Sequence, residues 1–411
     1  MDFDKQIKKY AELAVKIGVN IQKGQLLVIN ADVECAWFVS YVVQAAYEAQ
    51  AGDVVVNWKD GHIEKLRYLY ADEAYLKVKE DWLIARHQYY IDQGAAFLSI
   101  SSSHPTLYQE VDSDKLKLVQ TVRAEVEQAL RAYTSANLGQ WSVVLIPNRE
   151  WAQMVYPNLS EEQALAKLWE TLFAICQVQA DNDPVAAWRK HTARIVAIGE
   201  KLNAYQLRSL HFKNSRGTDL IVELVANHSW EGGREITPKG IAFVPNIPTE
   251  EIFCMPHRER VNGMVYATKP LNIQGKLVED FWFCFKDGAV VDFGAKKNES
   301  SLANLLSMDE GAKHLGEVAL VSYDTPISLT QTLFYNGLID ENAACHLALG
   351  NCYPYNIVGG SQKSQAELSA LGANFSLVHC DFMFGSQDLS CIGTTSDGQE
   401  VVIFADGRFT I

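Results

Sequence analysis

His379 and Asp381 stand two residues apart in the run Phe375-Ser376-Leu377-Val378-His379-Cys380-Asp381-Phe382-Met383. In a strand, successive side chains alternate between faces, so the imidazole and the carboxylate project together and Cys380 points the other way. That is a two-ligand arrangement for a metal ion, although a core histidine beside a surface acid explains the bare pair equally well. Glu317 opens an otherwise apolar strand in Leu315-Gly316-Glu317-Val318-Ala319-Leu320-Val321. A buried, unpaired carboxylate costs several kcal/mol, so Glu317 requires a cation, an arginine or a proton.

A third segment runs Asp340-Glu341-Asn342-Ala343-Ala344-Cys345-His346-Leu347-Ala348-Leu349-Gly350. Its dense Ala, Leu and Cys content over 343–349, closed by Gly350, predicts a short buried helix with His346 inside. Glu341 lies about 140° around such a helix from His346, so the two converge only if Glu341 sits at its start. The plain alternative is an acid meeting the helix dipole. Asn246-Ile247-Pro248-Thr249-Glu250-Glu251-Ile252-Phe253 adds two neighbouring acids. Extended chain sends them opposite ways, one toward a site and the other toward solvent.

The elements that must position these groups fall into two textures. The first half alternates apolar strands at 24–30, 53–58, 95–100 and 141–147 with helical stretches at 34–50, 114–133 and 161–177. Crossovers of this length predict a mainly parallel sheet covered by helices. Ala31-Asp32-Val33-Glu34-Cys35 follows the first strand where a nucleotide site would have a glycine-rich turn. After a polar break at 180–184 and one more helix over 186–202, the chain changes to short strands separated by turns such as Lys286-Asp287-Gly288 and Ala405-Asp406-Gly407. The expectation is a multi-domain α and β protein. An N-terminal α/β domain occupies 1–205, and a C-terminal β-rich, barrel-like domain occupies 206–411, with helices inserted near 300–306, 342–350 and 363–371.

Composition narrows the partners. The chain has 411 residues, 48% of them apolar, enough for more than one core. Its net charge of −14, with no basic run, opposes nucleic acid and anionic membrane. No apolar stretch approaches the ~20 residues of a membrane span. Residues 1–7 lack the basic and apolar regions of a secretory signal, and eight cysteines without a CxxC pair suit a reducing compartment, so the expected location is cytoplasmic. His62, His87, His104, His191, His211, His228 and His314 have no partner at useful spacing and read as ordinary surface or core histidines. In His257-Arg258-Glu259-Arg260, Arg258 reads either as a group that binds a carboxylate or orients Glu317, or as part of a solvated turn.

Taken together, Pro248-Thr249-Glu250-Glu251, the Glu317 segment, the segment from Asp340 to Gly350 and His379-Cys380-Asp381-Phe382-Met383 resemble the aminopeptidase T / aminopeptidase S family of metallopeptidases. Four separated motifs in the right order make the resemblance specific. It implies two divalent metal ions per chain, zinc or cobalt first and magnesium or manganese next, that together remove N-terminal residues from short peptides. The implied ligands are Glu251, Glu317, Glu341, His346, His379 and Asp381, with Glu317 bridging, and Tyr353 matches the family's tyrosine beyond the histidine segment. Cys380 stands where the family often has an apolar residue. A homodimer is implied as well. Two ions of this kind hold a hydroxide, lower its pKa and polarise the scissile carbonyl, and Tyr353 would donate to the oxyanion. Competing readings are another dinuclear hydrolase such as a phosphoesterase, and a noncatalytic metal-containing binding protein.

Overall fold

The computed structural model describes residues 3–102, 104–273 and 275–411, so Met1 and Asp2 of the N-terminal stretch lie outside it. The chain divides into two compact units, Met1–Lys190 with Arg234–Pro248, and His191–Gly233 with Thr249–Ile411. The division falls inside one continuous helix, Pro184–Tyr205, not after it near 205 as the change of texture suggests. Helical periodicity runs through the boundary and leaves no mark in the sequence. The segment Arg234–Pro248 rejoins the first unit because its strand Asn246–Ile247 pairs in parallel with Trp141–Leu145.

The first unit carries five parallel strands in the order Asn246–Ile247, Trp141–Leu145, Ala96–Ser101, Leu26–Asp32 and Asp53–Lys59. Leu27, Val28 and Ile29 are all fully buried, so both faces of strand Leu26–Asp32 are covered, as its unbroken apolar run requires. Tyr90 and Tyr133 from two helices pack edge-on against Phe97 on one side. Tyr10 of helix Phe3–Leu13 packs against Phe38 of helix Ala36–Glu48, and its hydroxyl donates to the carbonyl of Leu145 at 3.1 Å. The single helix expected over 114–133 is two, Ser113–Val126 and Gln128–Ser135. Glu127 at the break accepts from Arg123 at 2.8 Å and Arg131 at 3.1 Å.

The second unit is β-rich, as expected, and consists of nine-stranded and five-stranded antiparallel sheets sharing one core. Phe281 and Phe283 of the larger sheet meet Phe382 of the smaller one edge-on at 6.0 and 5.1 Å. Helices Glu299–Leu306 and Gln365–Ala370 sit where the sequence places them. The helix expected over 343–349 does not form. His346–Gly350 is instead a strand between Leu315–Leu320 and His379–Met383. A strand buried on both faces has the same unbroken apolar character as a short buried helix, so periodicity cannot separate them; only its five-residue length favours the strand.

Gly350 therefore ends a strand. It has φ +104°, and a Cβ there would lie 2.1 Å from the carbonyl oxygen of Val378. Gly350→Ala combines the left-handed backbone penalty with this clash, so chemical denaturation should show a loss of at least ~2 kcal/mol. A variant as stable as the parent would contradict the close approach.

Candidate metal centre

Strand register brings the chemistry-bearing residues of the second unit together. Glu317 pairs with Ala348 and Ala348 with Asp381, so these three occupy one row across three adjacent strands. Paired residues share a face, as do residues two apart along a strand, which adds His346 and His379 to that face. Ala348, with only a methyl group at the centre of the row, leaves room above it. The opposite face sends Val318, Leu347, Leu349 and Phe382 into the apolar core. A register shift between Leu315 and Glu317 separates the carboxylate from the apolar alternation below it.

The imidazoles are oriented by backbone carbonyls. His379 Nδ1 lies 2.8 Å from the oxygen of Asn351, and His346 Nδ1 lies 3.2 Å from that of Ala344. Each ring thus turns Nε2 toward carboxylates. His346 Nε2 is 3.2 Å from Glu251 and 3.5 Å from Glu317 Oε1, whereas His379 Nε2 is 3.5 Å from Glu317 Oε2 and 3.4 Å from Asp381. The donors form two clusters, Glu251–Glu317–His346 and Glu317–His379–Asp381, that share Glu317.

These separations fit a cation. Ligands at ~2.0–2.1 Å from a tetrahedral ion stand about 3.3 Å apart, close to the spacings observed. Asp381 Oδ1 is buried without a hydrogen-bond partner, as an oxygen intended for a metal would be. Burial alone would lower the pKa of His379, but Asp381 and Glu317 together raise it to about 10. Burial raises Glu317, an effect that the two imidazoles oppose. The neighbouring carboxylates thus favour the protonated His379 ring, and a metal ion bound there would displace that proton.

Glu341 occupies a short 3₁₀ turn, Glu341–Ala343, before the His346 strand. Its carboxyl lies outside both clusters, and burial together with Glu251 and Asp381 pushes its pKa well above the usual carboxylate range. Tyr353 packs its ring 5.1 Å from His379 and 5.9 Å from Phe253. Burial, reinforced by Glu317 and Asp381, holds its hydroxyl protonated. Arg258 makes no ion pair with Glu317 among the described residues; its peptide groups bond to Gly372 and His314.

Sequence reasoning missed two features. Glu250 is not solvated but 4% exposed, with Oε2 3.7 Å from His191 and 4.0 Å from Arg194, turned away from Glu251. Asn342 fixes this segment, accepting the Glu250 N–H at 2.6 Å. The contact spans 92 residues, and nothing local announces it.

Paired His and carboxylate clusters of this kind define a site for divalent cations. The chain belongs to the M29 family of thermophilic metalloproteases, which it matches over residues 3–409. It is 44% identical to Aminopeptidase 2 of Geobacillus stearothermophilus across 99% of this chain and 98% of that one. It is 40% identical to aminopeptidase AmpS of Bacillus subtilis, covering 99% of both. The solved structure of wild-type AmpT from Thermus thermophilus superposes with a TM-score of 0.93 at 36% identity, over the full length of both chains. The expected family, fold class and metallopeptidase activity are borne out, and the phosphoesterase and noncatalytic readings fall away.

Burial raises the pKa of Glu250 from 4.5 to about 8. A carboxyl that binds its proton more tightly when folded favours the folded state at low pH, and stability falls as pH rises from about 4.5 through 8. In chelator-treated protein, Glu250→Gln should therefore gain thermal stability relative to the parent between pH 5 and pH 9. A Tm difference independent of pH would contradict this assignment.

Proposed function

We propose that this metallopeptidase is an aminopeptidase acting on short peptides, with two divalent ions held by Glu251, Glu317, Glu341, His346, His379 and Asp381. The observation that carries the reading is Glu317, whose two oxygens face different imidazoles and which belongs to both donor clusters. A carboxylate so placed is suited to bridge two ions. Four carboxylates among the ligands offset the charge of two dications, and oxygen-rich donors with two imidazoles suit zinc, cobalt or manganese. Such ions, when bound, acidify a water and polarise the scissile carbonyl.

The chain's own groups supply the rest. The carbonyls of Asn351 and Ala344 hold the two imidazoles in register. Tyr353, protonated beside His379, donates a hydrogen bond to the carbonyl oxygen as it gains charge. Glu250 faces His191 and Arg194, and its contribution is to the packing beneath Glu251. The relatives' names support N-terminal residues as the cleavage point. We place the enzyme in the cytoplasm as a homodimer; the acidic, CxxC-free sequence supports the compartment. Among the described residues no helix is long and apolar enough to cross a membrane.

Glu317→Gln should lower turnover of aminoacyl chromogenic substrates more than ~100-fold and reduce bound metal in elemental analysis. Undiminished turnover by the metal-loaded variant would refute the bridging role. Tyr353→Phe should lower kcat by about 10²–10³ while KM holds. A change confined to KM would assign the tyrosine to substrate binding instead.

A further inference from the structure

A second group of metal-ligating side chains lies in the first unit, where four strand ends converge. Glu34 follows strand Leu26–Asp32, His62 follows Asp53–Lys59, His104 follows Ala96–Ser101, and Glu150 follows Trp141–Leu145. All four strands are parallel, so these residues share the carboxyl edge of the sheet. The chain passes from the first strand to its neighbour on one side, then crosses to the other side. Its connections therefore diverge between Leu26–Asp32 and Ala96–Ser101. In open parallel sheets this divergence leaves a crevice in which ligands bind. Glu34 and His104 come from its two sides and meet at 2.9 Å.

The local geometry is that of a ligand set. His62, His104 and Glu150 can each bring one ligand atom to within 4.8 Å of the others. His104 Nδ1 lies 3.2 Å from Glu150 Oε2, a separation like those in the second-unit centre, and the two imidazole rings are 5.3 Å apart. The other nitrogen, Nε2, faces Glu34. A carboxylate on the far nitrogen fixes the ring's tautomer and strengthens it as a ligand, the usual support of a metal-bound histidine. Glu34 is itself held by Asn148 at 3.3 Å, and Asn148 also donates to Ser102 at 2.8 Å while capping helix Arg149–Val155. His62 is positioned by Asp60, which accepts the N–H groups of His62 and Ile63 at 2.9 and 3.1 Å. Glu150 lies in the first turn of the helix that Asn148 caps.

We propose that His62, His104 and Glu150 bind a further divalent ion of the zinc class, with Glu34 as the positioning residue for His104. The ion joins the segments that follow three strands of one parallel sheet. His62 and Glu150 are exposed, so this ion exchanges with solvent more readily than ions at the buried centre around Glu317. The inference stands apart from the aminopeptidase reading, since none of its residues belongs to that centre.

The test is metal content of the full-length protein after chelator stripping and dialysis against buffered micromolar zinc. Wild type should hold one more zinc per chain than either His104→Gln or Glu150→Gln, with peptide turnover equal in all three proteins. In a Glu317→Gln background the extra ion should remain, which separates this site from the catalytic one. Equal zinc content in wild type and both variants would overturn the proposal. So would loss of the ion only in step with loss of turnover and circular dichroism, because the cluster would then support the fold and bind no metal of its own.

Discussion

The second unit is organised around an electrostatic liability: carboxylates and imidazoles packed on one face of a sheet whose other face is apolar core. Glu317 is 4% exposed and His346 1%, so the charges cannot be solvated by water. Carboxylates crowded at this depth are costly unless cations stand between them. The rest of the local structure follows from this demand. The central position in the row is alanine, two backbone carbonyls hold the ring nitrogens, and the strand carrying Glu317 shifts register at the point where its apolar alternation gives way to a ligand. Each device sets a donor atom without adding a polar group that would itself need a partner.

Much of this was legible in the sequence because strand alternation is strict. His379 and Asp381 share a face for that reason alone, and an acid inside the apolar run at 315–321 is conspicuous. The parallel strands of the first unit are legible too, since continuous valine, isoleucine and leucine runs have few other homes. The segment containing His346 was not. Its apolar content is equal on all sides, and the information that made it a strand lies in its two neighbours, which are remote in sequence. Glu250 misled for a related reason. An acid beside another acid reads as solvated, and the His191 and Arg194 that face Glu250 lie on helix Pro184–Tyr205, remote in sequence.

The cluster at the edge of the parallel sheet shows the same limit from the other direction. Glu34, His62, His104 and Glu150 have no common spacing, and each taken singly is an ordinary surface residue. Only parallel topology, which returns every strand in the same direction, gathers the residues after each strand at one edge. Tyr353 is intermediate. Its chemistry cannot be read from local pattern, and its place beside His379 became an expectation only through likeness to relatives.

The central claim is that Glu317 stands between two cations. Anomalous diffraction from crystals grown with zinc or cobalt, recorded at the metal's absorption edge, tests it most directly. The account predicts two peaks ~3.5–4 Å apart, one on each side of the Glu317 carboxylate. A single peak bound only by His379 and Asp381, or none within reach of Glu317, would contradict it.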